Sequence, residues 1–287
     1  MTLKEKLTTL PQYLLPQHGL SKIMRKLSRC ENQTWKNLFI QQIIQHYGVN
    51  MAEALMPDSQ DYKNFNEFFT RPLKPGIRPI CPAANAIACP ADGAVSQAGS
   101  ITAGSIFQAK GKNFSAIDLL GGDSVRAAPF MNGLFATIYL SPKDYHRLHM
   151  PLTGTLIEML HIPGRLFSVN TATTRSVPGL FARNERVVCL FATDAGLMAL
   201  VLVGAIMVCS IETVWHGEVT PPTQSSIRSW QYPENPPTLQ KGEEMGRFNM
   251  GSTIIVLFEK NNTQWQDTFQ TDKKVQLGEQ IGSFSIA

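Results

Sequence analysis

Two apolar segments joined by a short turn constrain this chain more than any other feature. Val187-Val188-Cys189-Leu190-Phe191 leads into Asp194-Ala195-Gly196 and then Leu197 to Val203, a β-hairpin pattern. A further strand is expected over 205–211. The longest nearly apolar run, Gly196 to Cys209, is 14 residues with Gly204 inside it. A membrane-spanning helix needs about 20, so this run belongs in a folded body.

The rest of the chain from about Ile77 has the same texture. Leu134 to Leu140 (LFATIYL) is apolar and β-prone, Ile254 to Phe258 (IIVLF) is a buried strand by composition, and Pro90-Ala91-Asp92-Gly93 marks a turn. Gly242-Glu243-Glu244-Met245-Gly246-Arg247-Phe248 is echoed by Gly278-Glu279-Gln280-Ile281-Gly282-Ser283-Phe284. Each copy reads as a turn feeding a strand, and two copies suit a pseudo-symmetric sandwich better than a repeat array. Residues 1–70 read differently. Trp35, Leu38, Phe39, Ile43 and Ile44 recur at helical spacing, and Gly48 is placed to end that helix. The expected class is α+β: a helical N-terminal region, 1–70, followed by a mostly antiparallel β-sandwich-like body, 71–287.

Charged residues make up 17% of the 287 positions, low against the roughly 25% of an ordinary soluble protein. That excludes disorder for most of the chain and leaves surplus apolar surface to cover. A net charge of +4 is too small for a nucleic-acid-coating protein. Residues 1–40 hold seven basic side chains, among them Lys22, Arg25, Lys26 and Arg29, against Glu5 and Glu31. Apolar residues mixed with Lys and Arg suit a helix lying on an anionic leaflet; a helix packed on its own domain has the same composition, and both readings stand. Five cysteines without a CxxC pair argue against a disulfide framework or a zinc ribbon and for a reducing compartment.

Few residues can do chemistry. Ser252 follows Gly251 just before the buried strand, in Asn249-Met250-Gly251-Ser252-Thr253, which is no GxSxG elbow. His146 and His149 are three apart in a segment bracketed by Pro142 and Pro151. A loop or turn is expected there, and a metal site would lack a third ligand. Asp92 is a stock turn residue, and Glu212 and His216 read as packing residues. Together Asp92, a histidine of the 146–149 segment and Ser252 offer the ingredients of an acid–base–nucleophile set. Spacing alone does not bring them together.

The chain resembles the phosphatidylserine decarboxylases, specifically the membrane-bound proteobacterial branch. The resemblance runs through Phe65-Asn66-Glu67-Phe68-Phe69 with Arg71-Pro72-Leu73, Pro90-Ala91-Asp92-Gly93, Tyr139-Leu140-Ser141-Pro142 and Asp144-Tyr145-His146-Arg147 with His149-Met150-Pro151. It continues through Leu180 to Arg186, Ser210 to Trp215, Gly246-Arg247-Phe248 and Gly251-Ser252-Thr253. One departure is Met250, where the branch has Leu; the two are close in volume and apolar character.

The resemblance implies a proenzyme that cuts itself. Ser252 would attack the Gly251 carbonyl, with His149 taking its proton and Asp92 orienting the imidazole. Elimination from the resulting ester releases 1–251, the β chain. Loss of ammonia then leaves a pyruvoyl group, the covalent cofactor, on 252–287, the α chain, with no pyridoxal phosphate and no metal required. Its carbonyl takes up the amine of phosphatidylserine and accepts the electrons released as carbon dioxide departs. His146 is implied as substrate contact or proton donor in that half. The resemblance further implies an α–β heterodimer that pairs into a homodimer, peripheral attachment to the cytoplasmic side of the cell membrane, and no nucleic-acid partner. The alternative reading is a serine hydrolase or esterase acting on lipids without cutting itself, with Ser252 as its nucleophile.

Overall fold

The computed structural model describes residues 9–221, 225–260 and 263–285. The described residues form one large antiparallel sheet and smaller antiparallel sheets beside helices. Across the large sheet the strands run Arg228–Gln231, Gly154–Ile162, Arg186–Thr193, Gly196–Val203, Thr253–Phe258, Leu134–Tyr139, Gly93–Ser100 and Lys274–Val275, with Thr238–Leu239 also paired to Gly154–Ile162. The hairpin read from 187–203 forms, Gly196 taking the left-handed conformation in its turn (φ +89°). Its apolar run is buried on both faces, as is every residue of the central Thr253–Phe258 strand. That is why these strands lack polar alternation.

Three adjacent strands leave the large sheet at the same corner. Leu134–Tyr139, Gly196–Val203 and Thr253–Phe258 lie side by side, with Thr253 opposite both Tyr139 and Val203. Just outside this corner their chain neighbours Arg147–His149, Ser210–Thr213 and Glu244–Asn249 join Gly217–Thr220 in a four-stranded sheet. The segments 140–146, 204–209 and 250–252 are therefore three crossovers between the same two sheets. This corrects two expectations. A strand forms only over Ser210–Thr213 and not from Ala205, because Gly204 and the left-handed Met207 (φ +69°) carry the chain between sheets. The second histidine ends a short strand, Arg147–His149, because Glu244–Asn249 pairs with it. The two echoed segments open strands of different small sheets, Glu244–Asn249 and Gln280–Phe284. Gly242 and Gly278 both have positive φ, and a Cβ on either would run into Ile80.

The N-terminal residues form helices Pro11–Leu14, Gln17–Ser28, Gln33–Tyr47 and Phe65–Phe69. Gln33–Tyr47 stops at left-handed Gly48 (φ +68°), as its placement suggests. Phe65–Phe69 is capped by Asn64, whose side chain accepts from the Glu67 N–H while Glu67 reaches back to the Lys63 N–H. Ile40, Tyr62, Phe65, Phe68 and Phe69 make a second apolar cluster that includes Met250. The Gln17–Ser28 helix is packed inside out. Its buried side chains are Gln17, Ser21 and Ser28, whereas Ile23 and Leu27 are exposed, as are Leu10, Leu14 (90%) and Leu38. Polar side chains dock it: Gln17 Oε1 accepts from the Leu166 N–H at 2.8 Å, and Ser21 Oγ accepts from the Met207 N–H at 3.2 Å.

Candidate active site

The three crossovers converge on Gly251–Ser252. Ser252 is buried, at 1% exposure, its hydroxyl donates to the Val203 carbonyl, and its own carbonyl accepts from the Leu140 N–H at 2.9 Å. One residue before Gly251 the chain is strained. Met250 takes φ +82°, a region that costs an L-residue roughly 1–2 kcal/mol. Gly251 is glycine for a steric reason: a Cβ there would lie 3.0 Å from His146 Nε2 and 3.5 Å from Phe69 Cζ.

His146 is fully buried. Its Nδ1 lies 2.8 Å from the Asp144 carbonyl, which can only accept, so Nδ1 carries the hydrogen and Nε2 holds a free lone pair. Nε2 is buried without a hydrogen-bond partner. The ring packs on Phe69 with centroids 4.0 Å apart. Burial, reinforced by the Arg71 guanidinium, pushes its pKa down to about 3, so the imidazole is neutral at physiological pH. Arg71 is itself buried, held by the Phe68 and Lys143 carbonyls.

The other two expected members stand back from Ser252. His149 holds the Gly242 carbonyl through Nδ1 at 2.8 Å, and its Nε2 faces the Tyr145 hydroxyl at 3.0 Å. Burial lowers its pKa. Asp92 is gripped by Arg78, whose Nη2 lies 2.7 Å from Oδ2, and it accepts from the Leu277 N–H at 2.8 Å. Arg78 also binds Glu53. The fold thus brings His146 against the Gly251–Ser252 bond. The hydrogen bonds of Asp92, His149 and Ser252 run to Arg78, Tyr145 and Val203.

Several contributors leave no signal in the sequence. Phe69 and Asn66 sit within the Phe65–Phe69 segment, but nothing in the pattern said that Phe69 would cover His146 or that Asn66 Nδ2 would donate to Asn249 Oδ1 at 3.0 Å. Glu212, read as a packing residue, faces Asn249 Nδ2 at 3.4 Å. The Val203 acceptor is main chain and leaves no trace in residue type.

A cavity of about 390 Å³ opens beside Gly251. Met24, Phe39, Ile43 and Phe69 of its lining come from the helical region, and Met250 and Gly251 line it as well. Among the described residues no group of three His, Cys, Asp or Glu side chains is placed to hold a metal ion.

The family model described as phosphatidylserine decarboxylase matches residues 65–283, and a second, described as PSD, matches 7–48. The chain belongs to the phosphatidylserine decarboxylase family. It is similar to the phosphatidylserine decarboxylase proenzyme of Pseudomonas putida, 55% identical over 284 residues, with 98% of this chain and 99% of the relative covered. The proenzymes of Hahella chejuensis, at 53% identity over 98% of this chain and 95% of the relative, and Methylococcus capsulatus, at 52% over 95% and 94%, are similar as well. The chain is therefore a carboxy-lyase of phospholipid biosynthesis that converts phosphatidylserine to phosphatidylethanolamine and carbon dioxide. A phosphatidylserine decarboxylase of this kind is made as a zymogen, and the lipid hydrolase alternative falls away. No helix among the described residues is long and apolar enough to cross a membrane.

Proposed function

We propose that this phosphatidylserine decarboxylase cuts itself between Gly251 and Ser252, that Ser252 becomes the pyruvoyl group, and that His146 handles protons at the reacting centre. The observation that carries this reading is the partnerless, buried Nε2 of His146 held 3.0 Å from where a Cβ on Gly251 would sit. A buried acceptor without a partner costs about 1–3 kcal/mol, a cost that a reaction at this bond repays. The residues also suit the group itself. Ser252 supplies the β-oxygen that elimination needs, and Gly251 leaves its carbonyl approachable. The pyruvoyl carbonyl acts as the electron sink for loss of carbon dioxide.

The chain's own residues do the rest. Ser252 Oγ leaves the Val203 carbonyl to attack the Gly251 carbonyl carbon, and His146 Nε2 accepts its proton. In the lipid reaction the same nitrogen holds the proton delivered to the carbon that loses carbon dioxide, while Phe69 and the helical cluster exclude water. The apolar cavity takes the acyl chains. Cutting the chain after Gly251 leaves Thr253–Phe258 clamped between two strands, which supports a lasting pair of chains, 1–251 and 252–287.

A second reading of the cleavage step rests on one observation: the His149 main-chain N–H donates to the Pro90 carbonyl at 2.9 Å, which ties His149 to the turn that carries Asp92. In that reading His149 releases Tyr145 and turns to Ser252. Time courses of cleavage separate the two. His146→Ala uncut with His149→Ala cut supports the first, and the reverse supports the second. Ser252→Ala must stay whole in either case, and a cut Ser252→Ala chain would end both.

The membrane attachment is read from the inverted helix. On it Ile23 and Leu27 point outward with Lys22 and Lys26 exposed beside them, and Leu10 and Leu14 are exposed at the helix before it and Leu38 on the one after. This is the arrangement of a helix lying in the interface of an anionic leaflet, and the cavity over Gly251 begins between these helices and the body. Arg25 and Arg29 are turned inward to Glu218, so the lipid-facing charge rests on the lysines. The helical region 1–70 is accordingly the docking element of a peripheral enzyme on the cytoplasmic side, and 71–287 its catalytic domain.

A further inference from the structure

We infer that Ser210 and Glu218 are positioning residues for self-cleavage, tying the seating of the Gln17–Ser28 helix to the placement of Asn249, the last strand residue before the scissile loop. The inference rests on cleavage at Gly251–Ser252.

A directed chain of hydrogen bonds joins the two places. Arg25 and Arg29, one helical turn apart, both bind the Glu218 carboxylate, Arg25 Nη2 at 2.5 Å from Oε2 and Arg29 at Oε1. Glu218 lies on Gly217–Thr220, the edge strand of the four-stranded sheet. The same Oε1 accepts from Ser210 Oγ at 2.9 Å. A carboxylate only accepts, so the Ser210 hydrogen is committed to Glu218 and its lone pairs face the other way. There Asn249 Nδ2 donates to Ser210 Oγ at 2.6 Å. With its amide nitrogen so directed, Asn249 presents Oδ1 to Asn66 Nδ2 at 3.0 Å, on the helix that also carries Phe69. The Asn249 carbonyl accepts from the Cys209 N–H at 2.8 Å.

Asn249 is thus held by the helical region from two sides: directly through Asn66, and through Glu218 and Ser210 from Arg25 and Arg29. Its next neighbours along the chain are the strained Met250 and then Gly251, which must sit against His146. Ser210 and Asn249, each 1% exposed, are the buried links of this network, and breaking either loosens the rest. When the docking helix is unseated, the Asn249 amide loses its orientation and Gly251 its place. Cleavage therefore comes after docking of the helix, and the mature enzyme arises with its membrane element already fixed.

The test is the time course of self-cleavage of the full-length chain made in a cell-free system, read by the denaturing masses of fragments 1–251 and 252–287. The variants are Ser210→Ala, the pair Arg25→Gln and Arg29→Gln, all three together, and Ser210→Thr. Ser210→Ala and the arginine pair each slow cleavage about tenfold, and the three together are no slower than the slower of these, since they break one chain of contacts. Ser210→Thr, which keeps the hydroxyl, returns the rate to within about twofold of the parent. Unfolding midpoints measured in a Ser252→Ala background stay within the range of the parent. A general structural role would instead multiply the effects and lower the midpoints in step. Multiplied effects, or a parent that is cut while both variants match its rate, overturn this inference alone. A parent chain that stays whole overturns the cleavage reading and this inference with it.

Discussion

His146 makes the uncut chain acid-labile by a calculable amount. Its ring is neutral in the fold, with a pKa of about 3 against 6.5 for an ordinary histidine. Between these values the unfolded chain binds a proton that the native chain refuses, so stability rises with pH across that window. The contribution is complete above about pH 6.5 and is lost as pH falls toward 3. At pH 5 the unfolded ring sits about 1.5 units below its midpoint, and at 1.36 kcal/mol per unit the loss is about 2 kcal/mol. The perturbation is His146→Gln, made in a Ser252→Ala background so that every molecule is one chain. Urea unfolding is measured at pH 7.5 and pH 5. The parent should lose about 2 kcal/mol more than the variant between the two, whatever other groups contribute to both. Parallel losses would refute the assignment of a neutral, desolvated ring at this site.

Other outcomes rest on the same geometry. Gly251→Ala puts a methyl 3.0 Å from His146 Nε2; it should slow cleavage at least tenfold, seen as persistence of the full-length band. Met250→Leu should cleave at the parent rate, since both side chains meet the same left-handed backbone at φ +82°. Met250→Val adds a branched Cβ there, on top of the strain Met250 already carries, and should lower the midpoint of urea unfolding. Leu14→Ser with Ile23→Ser should weaken binding to phosphatidylserine-containing vesicles at any salt concentration. Lys22→Glu with Lys26→Glu should weaken it only at low salt, by at least about fivefold per lysine, from about 1 kcal/mol for each charge lost.

Much of the fold was legible because local physics and tertiary demand agreed. The 187–203 hairpin, the 254–258 strand and the helix ended by Gly48 each carry their own signal in apolar spacing and turn residues. Where they disagreed, the reading failed. Residues 205–211 have strand composition, but a crossover between sheets runs through them. The N-terminal basic residues divide in a way that composition does not show: Glu218 takes Arg25 and Arg29, while Lys22 and Lys26 stay exposed.

Residue types alone determined that the chain is a β-rich body behind a helical, basic N-terminus, and they singled out the Gly251–Ser252 step as the candidate centre. Only the tertiary structure decided which histidine meets that step. His146 and His149 are three residues apart and chemically alike, but the crossover turns His146 onto Gly251 and the strand pairing of Arg147–His149 carries His149 to Tyr145 and Gly242. Burial then makes one imidazole a partnerless neutral acceptor, a property of its surroundings and not of the residue. The same holds for the tie between Arg25 and Asn249, which lie 224 positions apart along the chain and are linked through Glu218 and Ser210 only because three strands leave one sheet together to build another.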